Sequence, residues 1–166
     1  MPVAVHTEKA FENDICDALT SSGWFYGGEE DQQHYDRDYN LYPDDLVAWI
    51  QETQPKAWAT LTKSNGAKAP QVVMDRLRKA LDASGALHVL RHGFEILGLR
   101  QPIQVAQFKP AMAMNEDLQA RYAANRLRVV RQVRFSKYAD KDCIDIMLFL
   151  NGIPVSTIEL KTDYTQ

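Results

Sequence analysis

Cysteine is scarce in this chain, which has only Cys16 and Cys143 among its 166 residues. Two cysteines so far apart in sequence indicate neither the disulfide framework of a small secreted domain nor a zinc-binding motif. The chain also lacks an apolar run long enough to span a membrane, and its first residues lack the charged start and apolar stretch of a signal peptide. These absences predict a cytoplasmic protein with no membrane partner.

A strong net charge is missing as well, since the formal charge at pH 7 is −3. Hydrophobic residues make up 45% and charged residues 25% of the chain, which is ordinary for a soluble globular protein. A chain of 166 residues is long enough to bury one substantial core and too short to need two. We therefore expect a single domain over residues 1–166.

The charges are unevenly distributed along the chain, although their sum is small. Seven acidic residues and one arginine lie between Glu29 and Asp45. A later segment has no acidic residue and carries Arg121, Arg126, Arg128, Arg131, Arg134 and Lys137. This basic run is typical either of a solvated strand face or of a surface that contacts a phosphate backbone, and charge alone does not choose between them.

The spacing of apolar residues predicts helices in the first part of the chain and strands in the second. This order indicates a mixed α+β (α/β) fold with a central mixed sheet flanked by helices. The predicted helices cover residues 7–21, a short stretch from Pro43, a turn or two around Trp58, and residues 72–81, 86–92 and 115–124. The predicted strands cover residues 103–108 and 127–135 and the two arms of a hairpin within 143–161. The segment 24–42 is predicted as a long surface loop.

The hairpin is predicted from Asn151-Gly152, a strong turn signal between two β-rich runs. Even-numbered positions from 144 to 150, with Ile158 and Leu160, form one apolar face, and odd-numbered positions form the other. A two-residue loop would pair position 145 with 158 and separate Asp145 from Glu159. A three-residue loop, 151–153, pairs 145 with 159 and keeps both faces consistent, so we predict this longer loop.

In that register the Asp145 and Glu159 side chains lie opposite each other, about 5 Å apart at Cβ, and Lys161 follows on the same face. Two adjacent carboxylates repel unless a cation lies between them, and carboxylate oxygens are ligands that Mg²⁺ prefers. A bound Mg²⁺ activates water, and a lysine ammonium stabilises developing negative charge. The alternative is an amphipathic hairpin with a cross-strand salt bridge, because this spacing alone is common.

The same residues resemble a known family of nucleases. Asp145 followed by Glu159-Leu160-Lys161 resembles the D…(D/E)-x-K core of the restriction-endonuclease-like nucleases. The sequences of several segments are similar to those of the N-terminal nuclease domain of type I restriction enzyme R subunits. Those segments are residues 90–93, 106–110, 125–132, 144–145, 149–154 and 159–162, together with the opening helix around Glu8 and the Gly23-Trp24 that follows it.

The resemblance implies an endonuclease that hydrolyses double-stranded DNA with Mg²⁺, for which Mn²⁺ is a substitute. It implies that Asp145, Glu159 and the carbonyl of Leu160 bind the metal, with Lys161 as the catalytic lysine. Glu8 of the first helix is the preferred further ligand, and Glu12 is the alternative.

The basic run from Arg126 to Arg134 is expected to lie along the DNA backbone and to hold phosphates without reading the base sequence. Its members are Arg126, Arg128, Arg131 and Arg134. Gln132 within this stretch has two interpretations that stay open: it orders the site, or it satisfies a buried backbone group.

R subunits of this family act with specificity and methylation subunits and carry an ATP-driven translocase. This chain contains no G-x-x-x-x-G-K-[ST] sequence, so ATP is expected only for a full-length subunit. The chain stops at Gln166, before the helix with Gln and Tyr that often follows the lysine in such nucleases. We therefore infer an N-terminal fragment of a longer R subunit, and whether this fragment cleaves DNA without the missing region is left open. The alternative function is a non-catalytic DNA-binding or subunit-docking fragment.

Overall fold

The computed structural model of the chain describes residues 7–112, 114–138 and 142–161. Within them, helices flank an open sheet of four strands, so the predicted mixed α+β class is confirmed. The helices are α1 (Glu8–Ser21), α2 (Pro43–Thr53), α3 (Pro55–Asn65), α4 (Ala69–Ser84), α5 (Ala86–His92) and α6 (Glu116–Ala123). The strands are β1 (Phe25–Gly27), β2 (Leu127–Val133), β3 (Ile144–Leu150) and β4 (Ile153–Ile158). Two 3-10 helices cover Glu29–His34 and Gly66–Lys68.

The predicted helices are all present, with some differences in length. Thr7 caps α1 as expected, because its hydroxyl accepts a hydrogen bond from the backbone N–H of Ala10 at 3.3 Å. Helices α2 and α3 each begin with a proline, whose fixed φ suits the first helical position. Helix α4 is longer than predicted at both ends. No helix in the described parts of the chain has both the length and the apolar character needed to cross a membrane.

The sheet has the strand order β1-β2-β3-β4, with β1 parallel to β2 and the other pairs antiparallel. Strand β1 lies inside the segment 24–42, so the prediction of a long surface loop there is wrong. Tyr35, Leu41 and Tyr42 from this segment are also buried. Its glycines and acidic residues indicated a loop, but its aromatic side chains have enough apolar area to pack into the core.

Buried apolar residues form three clusters, one among the helices and one on each face of the sheet. Helices α2 to α5 surround the largest cluster, which includes Trp49, Leu77 and Ile153 at the start of β4. On one face of the sheet, the "α1 face", Cys16 of α1 packs against β2 and β3. The other face, the "tyrosine face", is covered by Tyr35 and neighbours from the 24–42 segment. The cluster on the tyrosine face consists of Tyr35, Tyr42, Val130, Val133, Met147 and Phe149.

The predicted strand at 103–108 is wrong. The backbone of Gln104 instead exchanges two hydrogen bonds with the side-chain amide of Gln54, at 2.9 and 2.8 Å. The backbone of Gln107 does the same with the amide of Asn125, at 3.2 and 2.7 Å. The alternating apolar residues are buried as in a strand, but side chains satisfy much of the backbone where a neighbouring strand otherwise would.

The turn between β3 and β4 has two residues, so the predicted three-residue loop is wrong. Leu150 pairs directly with Ile153 across Asn151 and Gly152. The φ angles of these two turn residues are 48° and 80°. Positive φ at both positions is the mark of the tight hairpin turn that Asn-Gly favours.

A bulge in β4 restores the alignment that the longer loop was meant to provide. Val155 is the extra residue, because the partners of Leu148 and Phe149 are Ser156 and Pro154. Beyond the bulge Ile146 pairs with Ile158, and one further step in this register sets position 145 opposite 159. The bulge residue Val155 adds to the two-residue turn the one residue by which the predicted three-residue loop was longer. The register beyond the bulge is therefore the predicted one.

The turn is also fixed to the rest of the molecule. The Gly152 carbonyl accepts a hydrogen bond from Tyr42 N–H at 2.8 Å, and a Cβ at position 152 would lie 2.2 Å from the Tyr42 oxygen. Asn151 is fully buried, accepts from the Arg126 N–H at 2.6 Å and donates to the Val105 carbonyl at 2.9 Å. This anchoring determines where the far ends of β3 and β4 lie relative to α1.

Candidate active site

A cavity of about 640 Å³ lies between α1 and the sheet. Its lining residues are Glu8, Lys9, Glu12, Tyr26, Arg131, Gln132, Asp145 and Leu160. Glu8, Asp145 and Leu160 were each predicted as metal ligands, and the fold brings them to one cavity from α1, β3 and the segment after β4. Gln132, for which ordering the site was one of the two interpretations left open, lines the same cavity.

The Asp145 carboxylate is held by two hydrogen bonds. Its Oδ2 accepts the backbone N–H of Leu160 at 2.7 Å, and its Oδ1 accepts the side-chain N–H of Gln132 at 3.3 Å. Leu160 lies just beyond β4, which ends at Ile158. The carboxylate therefore holds the Glu159-Leu160-Lys161 segment against β3 where the strand ladder has stopped.

Gln132 has a backbone conformation that is unusual for a strand residue. Its φ is 49°, in the left-handed region, while Arg131 and Val133 on either side pair normally with β3. A non-glycine residue held in this region costs about 1–3 kcal/mol, and such residues cluster at functional sites. The strand is thus kinked at the one position that faces Asp145.

The kink changes which side chains of β2 face α1. In a regular strand Val130 and Gln132 would share a face, but here Val130 and Val133 both pack on the tyrosine face. Arg131 and Gln132 therefore both turn toward α1, and both contact Glu12.

Strand β3 departs from regular alternation at the same level. Ile144 packs on the tyrosine face with Met147, whereas Ile146 packs against α1. The prediction that Ile144 and Ile146 share one apolar face is therefore wrong. The Asp145 side chain turns toward Gln132 and the cavity as a result.

The Gln132 amide joins two acidic residues and a thiol. Its nitrogen donates to Glu12 Oε2 and to Asp145 Oδ1, both at 3.3 Å, and its oxygen accepts from the Cys143 thiol at 3.0 Å. Because ionised carboxylates only accept hydrogen bonds, they require the NH₂ end and so fix the orientation of the amide.

Glu12 is buried, with 5% of its surface exposed, and its other oxygen accepts from Arg131 Nε at 2.6 Å. Glu8 lines the same cavity from one turn earlier and is exposed. The preference for Glu8 over Glu12 as a metal ligand stays a prediction. The structure adds that Glu12 is the α1 carboxylate linked to Asp145 through Gln132.

Glu159 and Lys161 are exposed and are not among the residues that line the cavity. Glu159 is nevertheless near it, because its charge acts on the Cys143 thiol. Burial raises the pKa of that thiol, the negative charges of Asp145, Glu159 and Glu12 raise it further, and Arg134 lowers it. Asp145, Glu159, Glu12 and Arg134 therefore all act on the same thiol.

This environment predicts slow alkylation of Cys143 at neutral pH, because burial and the nearby carboxylates disfavour the reactive thiolate. The rate of iodoacetamide modification, measured against pH in a Cys16→Ala background, should have its midpoint above the ordinary pKa of a cysteine. Asp145→Asn should lower that midpoint. Asp14→Asn, which removes an exposed carboxylate on α1, should leave it unchanged. A midpoint at or below the ordinary value would contradict the described environment.

The basic run is divided between the two faces of the sheet. Arg126 and Arg128 bind Asp45, which is 1% exposed, through Nε–Oδ distances of 3.0 and 2.6 Å. Arg131 binds Glu12 on the α1 face instead. Exposed Arg134 follows the end of β2. The DNA-binding role of these four arginines stays a prediction, and Arg126, Arg128 and Arg131 also form ion pairs inside the protein.

The ion pairs hold the arginines firmly in their charged form. Burial opposes the charge of Arg128, but the hydrogen bond and charge of Asp45 more than offset it and raise the pKa of that guanidinium. The hydrogen bond to Glu12 likewise raises the pKa of Arg131. Asp45, which no sequence motif identified, thus holds Arg126 and Arg128 in place.

The donors at the cavity fit a hard cation in chemical type, since Asp145, Glu12 and Glu8 all offer carboxylate oxygens. Among the described residues, however, no three His, Cys, Asp or Glu side chains converge in an arrangement that could hold a metal. Mg²⁺ commonly binds through one or two carboxylates and keeps several waters, so this looser arrangement is compatible with it.

Comparison with known proteins gave one match. The model of a family described as "Type I restriction enzyme R protein N terminus" matches residues 6–166. Neither a curated protein nor a solved structure matched the chain.

Proposed function

The chain belongs to the family of type I restriction enzyme R protein N-terminal regions, and we propose that it is a magnesium-dependent endonuclease domain that hydrolyses double-stranded DNA. The proposal extends the family membership to a specific reaction. It also assigns the reaction to the cavity between α1 and the sheet.

One observation carries the proposal. Asp145 faces a cavity lined by α1 carboxylates and accepts the Leu160 N–H at 2.7 Å, and Leu160 stands between Glu159 and Lys161 in the chain. Carboxylates that can hold a divalent cation, together with a lysine ammonium, are groups that can serve metal-assisted phosphodiester hydrolysis. A salt bridge between the two arms of the hairpin, the simpler alternative, is absent from the ion pairs of the described residues.

In the proposed reaction Asp145 and Glu159 would hold Mg²⁺, with the carbonyl of Leu160 and a carboxylate of α1 as further ligands. When bound, the ion would supply an activated water and screen the charge of the phosphate. Lys161, as a compact point charge, positions the attacking water or stabilises the negative charge that develops on the phosphate.

The DNA-binding surface is proposed to extend from the cavity along the end of β2. Arg131 lines the cavity, and Arg134 follows the strand with its side chain exposed. Such contacts bind phosphates and carry no base specificity. Sequence recognition is accordingly assigned to specificity and methylation subunits of a cytoplasmic restriction complex, and ATP use to the translocase of a full-length subunit.

The test is conversion of supercoiled plasmid to nicked circles by the purified chain. We expect nicking with Mg²⁺ or Mn²⁺, none in excess EDTA, and recovery when Mg²⁺ is added back. Nicking that persists in EDTA would contradict metal dependence. DNA binding without nicking in either metal would contradict catalysis and favour the alternative function, a non-catalytic DNA-binding or docking fragment. Exposure of Glu159 and Lys161 outside the cavity lining is the observation on which that alternative rests.

A further inference from the structure

We propose that Gln132 is a positioning residue whose kinked backbone and side-chain amide hold Asp145 and Glu12 at the cavity. Gln132 thus adds a positioning residue to the proposed site. This inference rests on the proposed function only in taking the ligand to be a divalent cation. Gln132 is not proposed as a ligand itself. Its amide oxygen, the atom that would coordinate a cation, accepts the Cys143 thiol at 3.0 Å.

The backbone of Gln132 is the first observation. Its positive φ of 49° is disfavoured for a side chain as large as glutamine. Without this kink, Gln132 would follow Val130 and point to the tyrosine face, away from α1. The disfavoured conformation is therefore what allows the amide to reach both carboxylates.

The second observation is the placement of the amide between two like charges. Neighbouring carboxylates repel each other, and the Gln132 nitrogen offers one hydrogen to each at 3.3 Å. Each acid has one other restraint: Arg131 Nε lies 2.6 Å from Glu12, and Leu160 N–H lies 2.7 Å from Asp145. The amide thereby links α1, β2, β3 and the segment after β4.

This arrangement makes the Leu160 amide a reporter of the position of Asp145. If the Gln132 amide is removed, Asp145 loses one of its two restraints and its hydrogen bond with Leu160 should open more often. Hydrogen exchange measures such local opening directly. The readout needs neither metal nor DNA, so it tests positioning separately from the nuclease reaction.

Two variants separate positioning from folding. Gln132→Gly removes the amide and relieves the positive φ, so its thermal midpoint should equal or exceed that of the wild type. Gln132→Asn tolerates the same φ, but its amide is one methylene shorter. In both we expect exchange of the Leu160 N–H to be at least about tenfold faster, with core amides of α4 unchanged, and Mn²⁺ affinity to fall about 10- to 100-fold.

Asn40→Gly is the matched control, because Asn40 also has a positive φ, 52°, and an amide in a hydrogen bond, here with Tyr35. It should change neither Leu160 exchange nor Mn²⁺ affinity. Wild-type Leu160 exchange in folded Gln132→Gly would overturn the proposal. Faster Leu160 exchange in a protein whose wild type binds no Mn²⁺ would support positioning by Gln132 and overturn the proposed metal function instead.

Discussion

Asp145→Ala and Lys161→Ala are each expected to lower the rate of plasmid nicking at least about 100-fold, the scale seen when one charge-stabilising group of an active site is removed. Asp145 faces the cavity and holds the Leu160 N–H, so its loss removes a proposed metal ligand and releases the segment that carries Lys161. The measurement is the initial rate at saturating DNA, with DNA affinity determined separately. Affinity should change little, because neither residue belongs to the predicted phosphate-binding arginines.

Two further substitutions serve as controls for charge and location. Asp142→Ala removes an exposed carboxylate three residues before Asp145, and Lys63→Ala removes an exposed amine on α3 that does not line the cavity. Both should keep rates within a few fold of the wild type. If Asp145→Ala or Lys161→Ala nicked DNA at the wild-type rate, the cavity would not be the catalytic site.

Asp45→Ala should lower the free energy of unfolding by about 3–5 kcal/mol, the usual cost of breaking a buried ion pair from one side. Asp45 is 1% exposed and accepts three hydrogen bonds, one from Arg126 and two from Arg128. Its removal leaves two partly buried guanidinium groups without their carboxylate. Urea denaturation followed by circular dichroism measures the change.

Asp44→Ala is the matched control for this prediction. Asp44 precedes Asp45 in α2, is exposed and contacts His34 at 2.9 Å. An exposed pair of this kind contributes at most about 1 kcal/mol. Equal losses of stability in Asp44→Ala and Asp45→Ala would show that the buried position of Asp45 does not matter, contrary to the structure.

Much of the fold could be predicted because local patterns determine it. Proline at the start of α2, the Thr7 cap of α1 and the period of apolar residues were sufficient to predict the helices. The predicted strand at 103–108 was wrong although its apolar alternation is genuine. Beyond a single bridge between Ile103 and Phe94, its backbone bonds to side chains such as those of Gln54 and Asn125 and not to a neighbouring strand. Alternation reports burial on one side and does not reveal what pairs with the backbone.

For the hairpin, the alignment of the two strands was predicted correctly although the length of the turn was predicted wrongly. The need to keep apolar residues on one face predicted that position 145 aligns with 159, and the register beyond the bulge agrees. The turn type follows Asn151-Gly152, and the added residue lies instead at Val155 within β4. A single sequence gives little indication of a bulge. The need to keep apolar residues on one face instead limits how many residues the turn and the bulge can add together between the paired positions.

The partners of the buried charges could not be predicted from local patterns in the chain. Arg131 and Glu12 are 119 residues apart in sequence, and Arg126 and Asp45 are 81 apart. Such pairs depend on tertiary packing, and no local pattern marks them. The left-handed φ of Gln132 is equally hidden, because glutamine carries no preference for that conformation. Conversely, the hairpin that carries Asp145 and leads to Glu159 and Lys161 was predictable from Asn151-Gly152, while the grouping of these three side chains in one site stays a prediction.

Crystals of the chain soaked in Mn²⁺ would show by anomalous scattering whether the cavity binds a divalent cation. We expect an anomalous peak in the cavity between α1 and β3, about 2.1 Å from an Asp145 carboxylate oxygen, that disappears in Asp145→Asn. A peak held by other residues, or an empty cavity at Mn²⁺ concentrations that support plasmid nicking, would contradict the proposed metal site.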